Sequence, residues 1–123
     1  MPNKVLSIGN CDFDNGSLHN MLQGTFQAEL KMVEDLSQAE RLLRTQPFAL
    51  VIVNRKLEVD GSEGLEVIRA LKQQPEFADL PLMLLTNYPE YAAQAEAIGA
   101  VPGFGKATLN SPQARERLAK FLS

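Results

Sequence analysis

Phe48-Ala49-Leu50-Val51-Ile52-Val53-Asn54 is a run of six apolar residues closed by an amide. A short apolar run with no polar interruption reads as a strand covered on both faces, because a half-exposed strand alternates instead. Leu82-Met83-Leu84-Leu85, closed by Thr86, repeats the pattern, and Val5-Leu6-Ser7-Ile8 before Gly9-Asn10 is a shorter version of it. From Ala28 to Val33 the chain does alternate, with Leu30 and Met32 set against Glu29 and Lys31, as in an edge strand. A fifth strand is expected near Gly103-Phe104-Gly105-Lys106.

The gaps between these runs carry helical spacing. Leu18, Met21 and Leu22 share one helix face, with Gly24 placed as the C-cap. Ser37-Gln38-Ala39-Glu40 reads as a capping box ahead of an Ala39, Leu42, Leu43 stripe. Leu65, Ile68 and Leu71 recur at helical spacing behind Ser62. Pro89 suits the first turn of an Ala-rich helix from Tyr91 to Ile98, stopped by Gly99. Ser111-Pro112 then gives an N-cap and an N1 proline for a last helix through Ala114, Leu118 and Phe121. Strands alternating with helices predict an α/β domain with an open, mostly parallel sheet. No repeat, low-complexity stretch or linker interrupts the pattern, so one domain over 1–123 is expected.

Composition removes several classes of function. The chain has 123 residues and is 45% hydrophobic, enough for a core without disulfide or metal staples. One cysteine, Cys11, forbids an internal disulfide, and with a single histidine, His19, it leaves no Cys/His zinc site. Twelve Lys and Arg against fifteen Asp and Glu give a net charge of −3, which argues against nucleic-acid binding. No apolar run approaches the ~20 residues that span a bilayer, and Met1-Pro2-Asn3-Lys4 leads into no h-region. A cytoplasmic location, away from membranes, is expected.

In an open α/β sheet the ligand crevice lies outside the carboxyl ends of the strands, where the strand order switches. That rule selects Gly9-Asn10-Cys11-Asp12, Asn54-Arg55-Lys56, Thr86-Asn87 and Lys106. Lys4-Val5-Leu6-Ser7-Ile8, Phe48-Ala49-Leu50-Val51-Ile52-Val53-Asn54, Gly64-Leu65-Glu66-Val67-Ile68-Arg69, Leu80-Pro81-Leu82-Met83-Leu84-Leu85-Thr86, and Gly99-Ala100 followed by Lys106 resemble, in that order, the receiver domain of bacterial two-component response regulators over Lys4 to Leu122. The resemblance implies a five-stranded parallel sheet with helices on both faces, the (βα)5 flavodoxin-like topology. It also implies phosphoryl transfer from a histidine kinase to an aspartate ending the third strand. In that chemistry two acidic residues after the first strand help hold Mg²⁺, while a Thr or Ser and a Lys contact the phosphoryl oxygens.

Residue by residue, half of that apparatus is present. Thr86 matches the hydroxyl position and Lys106 the lysine. Asn54 stands at the phosphoacceptor position, and Gly9 and Asn10 at the acidic pair. The matched positions hold no carboxylate, so a divalent cation has no compensating charge there. The segment from Asn54 to Gly64 is two residues longer than the family norm, with Glu58 in place of a proline, and Ala107 replaces the proline after the lysine. Gly103 occupies the position of the family's switch aromatic, which leaves Phe104 as the nearby aromatic, sharing a face with Lys106 in a regular strand.

The sequence therefore reads as a pseudo-receiver: not an enzyme, with no cofactor and no Mg²⁺ at the usual site, signalling by protein–protein contact. The resemblance implies that contact is made by the fourth helix, fifth strand and fifth helix. Its partner would be a histidine kinase, another signalling protein or a second copy of the chain. Two alternatives stay open: a phospho-receiver that uses another acid, with Asp12 as the substitute carboxylate, or an anion sensor built on Thr86 and Lys106. Asn54 is expected to be a hydrogen-bonded cap, and Lys106 either to pair with Asp12 or Asp14 or to sit in solvent. Cys11 reads as a small loop residue, His19 as solvated and Asp60-Gly61 as a turn. Arg55-Lys56 reads as a solvated loop pair, and Tyr88 and Tyr91 as interface anchors or half-buried packing residues.

Overall fold

The continuous apolar runs form the middle of the sheet. The computed structural model describes residues 3–122. Strands and helices alternate: β1 Lys4–Ile8, α1 Asp12–Phe26, β2 Glu29–Val33, α2 Leu36–Thr45, β3 Leu50–Asn54, α3 Gly64–Lys72, β4 Leu82–Leu85, α4 Pro89–Ala97, β5 Val101–Phe104 and α5 Pro112–Leu122. The order is β2-β1-β3-β4-β5, and every neighbouring pair is parallel. The order reverses between β1 and β3, which puts the crevice above those two strands.

Side chains alternate across the sheet and divide the core in two. Val5, Leu50, Ile52, Met83 and Leu85 pack against Leu18 and Leu22 of α1 and Leu118 of α5. Leu6, Ile8, Val51, Val53 and Leu84 face Ala39 of α2, Leu65 and Ile68 of α3, and Ala95 of α4. Residues such as Leu6, Ile8, Ile52 and Leu71 are fully removed from water, each contributing about 1.5–3 kcal/mol before chain entropy is counted. No helix among the described residues is long and apolar enough to cross a membrane.

Several boundaries differ from the sequence reading. The helix α1 runs past Gly24 to Phe26, and Gln27 takes the left-handed conformation (φ 54°) that ends it. Asp35, rather than Ser37, caps α2: its carboxylate accepts the Gln38 N–H at 2.9 Å, while Gln38 Oε1 accepts the Glu34 N–H. The capping exchange is real but begins two residues earlier. Glu63, not Ser62, precedes α3, with no side-chain cap. The last strand is Val101–Phe104, so Gly105 and Lys106 lie beyond it, Lys106 in a short 3-10 turn. Pro102 is tolerated because β5 is an edge strand, paired only to β4.

Candidate functional site

At the end of β1 the chain turns sharply. Gly9 has φ 75° and donates its N–H to the Val33 carbonyl at 2.9 Å. A Cβ at this position would overlap the Leu57 side chain and stand 3.0 Å from Leu57 Cα. Leu57 comes from the long loop between β3 and α3. That loop folds back through a Lys56–Glu63 bridge and hydrogen bonds from Leu57 N to Ser62 O and from Glu58 N to Gly9 O. At its tip, Ser62, through its side chain first and its N–H second, holds the Asp60 carboxyl below the ordinary carboxylate range. Gly9 thus brings no charge to the crevice, and Leu57 fills the space beside it.

Asn10 is tied into a buried polar ring. Its Nδ2 donates to Ser7 Oγ (2.8 Å), Ser7 Oγ donates to Asn15 Oδ1 (2.7 Å), and Asn15 Nδ2 donates to the Asn10 carbonyl (3.1 Å). Asn10 Oδ1 is left buried without a hydrogen-bond partner among the described residues. Asn54, only 7% exposed, spends its amide donors on two carbonyls, Gly9 O at 3.3 Å and Lys56 O at 2.6 Å. It ties the end of β3 to the end of β1 and to its own loop.

Lys106 reaches across to α1 and pairs with Asp14 at 2.6 Å, not with Asp12. The Cys11 thiol also points at Asp14, at 3.3 Å. Thr86 is buried and its Oγ1 accepts the Tyr88 N–H at 3.1 Å. The crevice is divided. Asn54, Thr86 and Lys106 share a cleft of about 230 Å³ with Arg55 and Lys56, whereas Gly9, Asn10 and Asp12 line another of about 240 Å³ with Glu58. Asp12 is exposed and is absent from the residues lining the Thr86–Lys106 cleft. The donors left at the matched positions are two amides and a hydroxyl, a poor set for a hard divalent cation. Among the described residues no group of three His, Cys, Asp or Glu is placed to hold a metal.

Two sequence expectations change. Phe104 is buried against the α1 and α5 side, in the cluster of Leu85, Leu109 and Leu118. Lys106 lies past the strand, so the shared strand face expected for the two is not formed. At Gly103 a Cβ would strike the Leu84 carbonyl, so the position admits no larger residue without movement. Arg55 is not a solvated loop residue. Its guanidinium lies 4.6 Å from the Tyr91 ring centroid and 5.3 Å from that of Tyr88, and the two rings meet edge to face. Adjacent strand ends explain the meeting: Asn54 pairs with Leu85 in register, so residues just beyond each are neighbours. His19 is exposed on α1 as expected.

The chain superposes on solved structures over nearly its whole length. A candidate response regulator from Chloroflexus aurantiacus J-10-fl superposes with a TM-score of 0.86 at 18% identity, covering 99% of this chain and 98% of that one. The signal receiver domain of a DNA binding response regulator from Colwellia psychrerythraea 34H gives 0.79 at 21%, covering 96% of each. The fold is that of a receiver domain. The chemotaxis response regulator CheY4 of Vibrio cholerae gives 0.70 at 23%, covering 98% of this chain and 95% of its own. No protein-family model and no curated protein matches the sequence. The receiver architecture is therefore retained at an identity where side chains at the crevice are free to have diverged.

Proposed function

We propose that this chain is a pseudo-receiver, a two-component signalling module that works by protein contact without aspartyl phosphorylation. The observation that carries the reading is the pair Asn54 and Leu57. Asn54 has no carboxylate to attack a phosphoryl group and is hydrogen-bonded to two carbonyls, and Leu57 fills the space beside Gly9. With no acid at 9, 10 or 54, the crevice does not fit Mg²⁺, and no step is routed through a metal. The module is non-enzymatic and acts in the cytoplasm. It docks through α4, β5 and α5 onto a histidine kinase, another signalling protein or a second copy of itself.

The cations in the Asn54 cleft favour this reading over anion sensing. Lys106 is already neutralised by Asp14 and Arg55 is stacked on two tyrosines, which leaves Lys56 as the one cation lining that cleft without such a contact among the described residues. Incubation with acetyl phosphate and Mg²⁺, followed by intact-mass measurement, tests the proposal. No phosphoryl adduct is expected. An adduct lost on Asp12→Asn would instead establish a relocated acceptor.

A further inference from the structure

Three of the four large apolar side chains that stand exposed among the described residues lie at one end of the molecule. Phe13 (81% exposed), Val59 (50%) and Tyr88 (52%) follow β1, β3 and β4. Because the sheet is parallel throughout, all three sit at its carboxyl end. The fourth, Met32, belongs to β2. A single exposed apolar residue is ordinary, but three gathered around one crevice mark a contact surface.

Charge on the same face is divided. The cleft of about 240 Å³ beside Gly9 is lined by Asp12, Glu34 and Glu58 and by no base. The cleft of about 230 Å³ beside Thr86 is lined by Arg55, Lys56 and Lys106 and by no acid. The hydrogen bond from Asn54 Nδ2 to Gly9 O joins the wall of one cleft to the wall of the other. Strand order sets the division: Glu34 and Asp12 follow the neighbours β2 and β1, whereas Arg55 and Lys56 follow β3 and Lys106 follows β5. Lys106 is paired with Asp14. Asp12, Glu34, Glu58, Arg55 and Lys56 form no salt bridge among the described residues, so charges of both signs stand side by side without a partner.

Such a face complements itself. A two-fold axis along the boundary lays each half on the opposite half of a second copy, so acid meets base once on each side of the axis. A purely acidic or purely basic partner would satisfy one half and be repelled by the other. We propose that the carboxyl end of the sheet is a homodimer interface. In it Arg55 and Lys56 of one copy face Asp12, Glu34 and Glu58 of the other, and Phe13, Val59 and Tyr88 supply the apolar contact. The dimer covers Asn54 and the crevice and leaves β5 and α5 at the surface. It therefore uses a different face from the docking surface proposed above and does not depend on how position 54 behaves toward phosphoryl donors.

Sedimentation velocity of the full chain over a dilution series is expected to show a monomer–dimer equilibrium that weakens as salt is raised. Lys56→Glu turns the basic half toward acid, and Glu34→Lys/Glu58→Lys turns the acidic half toward base. Each variant alone should dimerise about tenfold more weakly, and an equimolar mixture of the two should recover the dimer, because each altered half then meets its complement. With no substitution at all, dilution of the ¹⁵N-labelled chain should shift the amides of Asp12, Phe13, Lys56, Val59 and Tyr88 together and leave those of α5 in place. A chain still monomeric at ~1 mM, shifts centred on another face, variants that dimerise like the wild type, or folded variants whose mixture gains nothing would each overturn the proposal. A monomer would leave the pseudo-receiver reading standing, whereas an acetyl phosphate adduct would overturn that reading and not the dimer.

Discussion

An amide and a carboxylate have nearly the same shape, and at position 54 they differ in the sign of two hydrogen bonds. Asn54 Nδ2 faces the Gly9 and Lys56 carbonyls; an aspartate oxygen placed there would set acceptor against acceptor in a buried site. Asn54→Asp should therefore destabilise the fold by about 2 kcal/mol, a fall in Tm of roughly 6–10 °C, measurable by calorimetry. An unchanged or raised Tm would mean that the loop relaxes to admit the charge and that the amide is no structural cap. That position 54 holds an amide and not a carboxylate is visible in the sequence as a single letter. The blocked space beside Gly9 is not, because Leu57 reaches it only through the folded loop.

Among the elements, those with strong local signals match their reading and those with competing signals drift. The strands β3 and β4 are apolar without interruption, and only a position between sheet neighbours accounts for that. For α2 both Asp35 and Ser37 offer an acceptor; Asp35 wins because starting the helix at Leu36 lets Leu36 join the core beside Ala39. Pro102 and Gly103 mask β5, which pairs irregularly with β4 between Met83 and Leu85. The Arg55 stack was illegible because it joins the ends of two strands thirty residues apart in sequence. It fastens the β3–α3 loop to the start of α4. Removing it with Arg55→Ala is expected to cost about 1–2 kcal/mol, with Arg55→Lys recovering part, and to speed hydrogen exchange in the first turns of α4. Wild-type stability and exchange in Arg55→Ala would show that the stack does not hold the helix.

At the scale of the whole molecule, a net charge of −3 describes an uneven distribution. Carboxylates gather just before α2 (Glu34, Asp35) and in the long loop (Glu58, Asp60, Glu63), while the crevice between β1 and β3 holds Gly9, Asn10 and Asn54 and the cleft beside it is basic. The receiver fold survives this redistribution because its two cores are apolar and do not involve the crevice residues. With no carboxylate at 9, 10 or 54, the crevice is predicted not to hold the Mg²⁺ on which receiver chemistry depends. A Mg²⁺ titration of the ¹⁵N-labelled chain, followed at the amides of Gly9, Asn10, Asn54 and Lys106, tests that claim most directly. These four signals are predicted to stay in place up to millimolar Mg²⁺; saturable shifts shared by all four would contradict it.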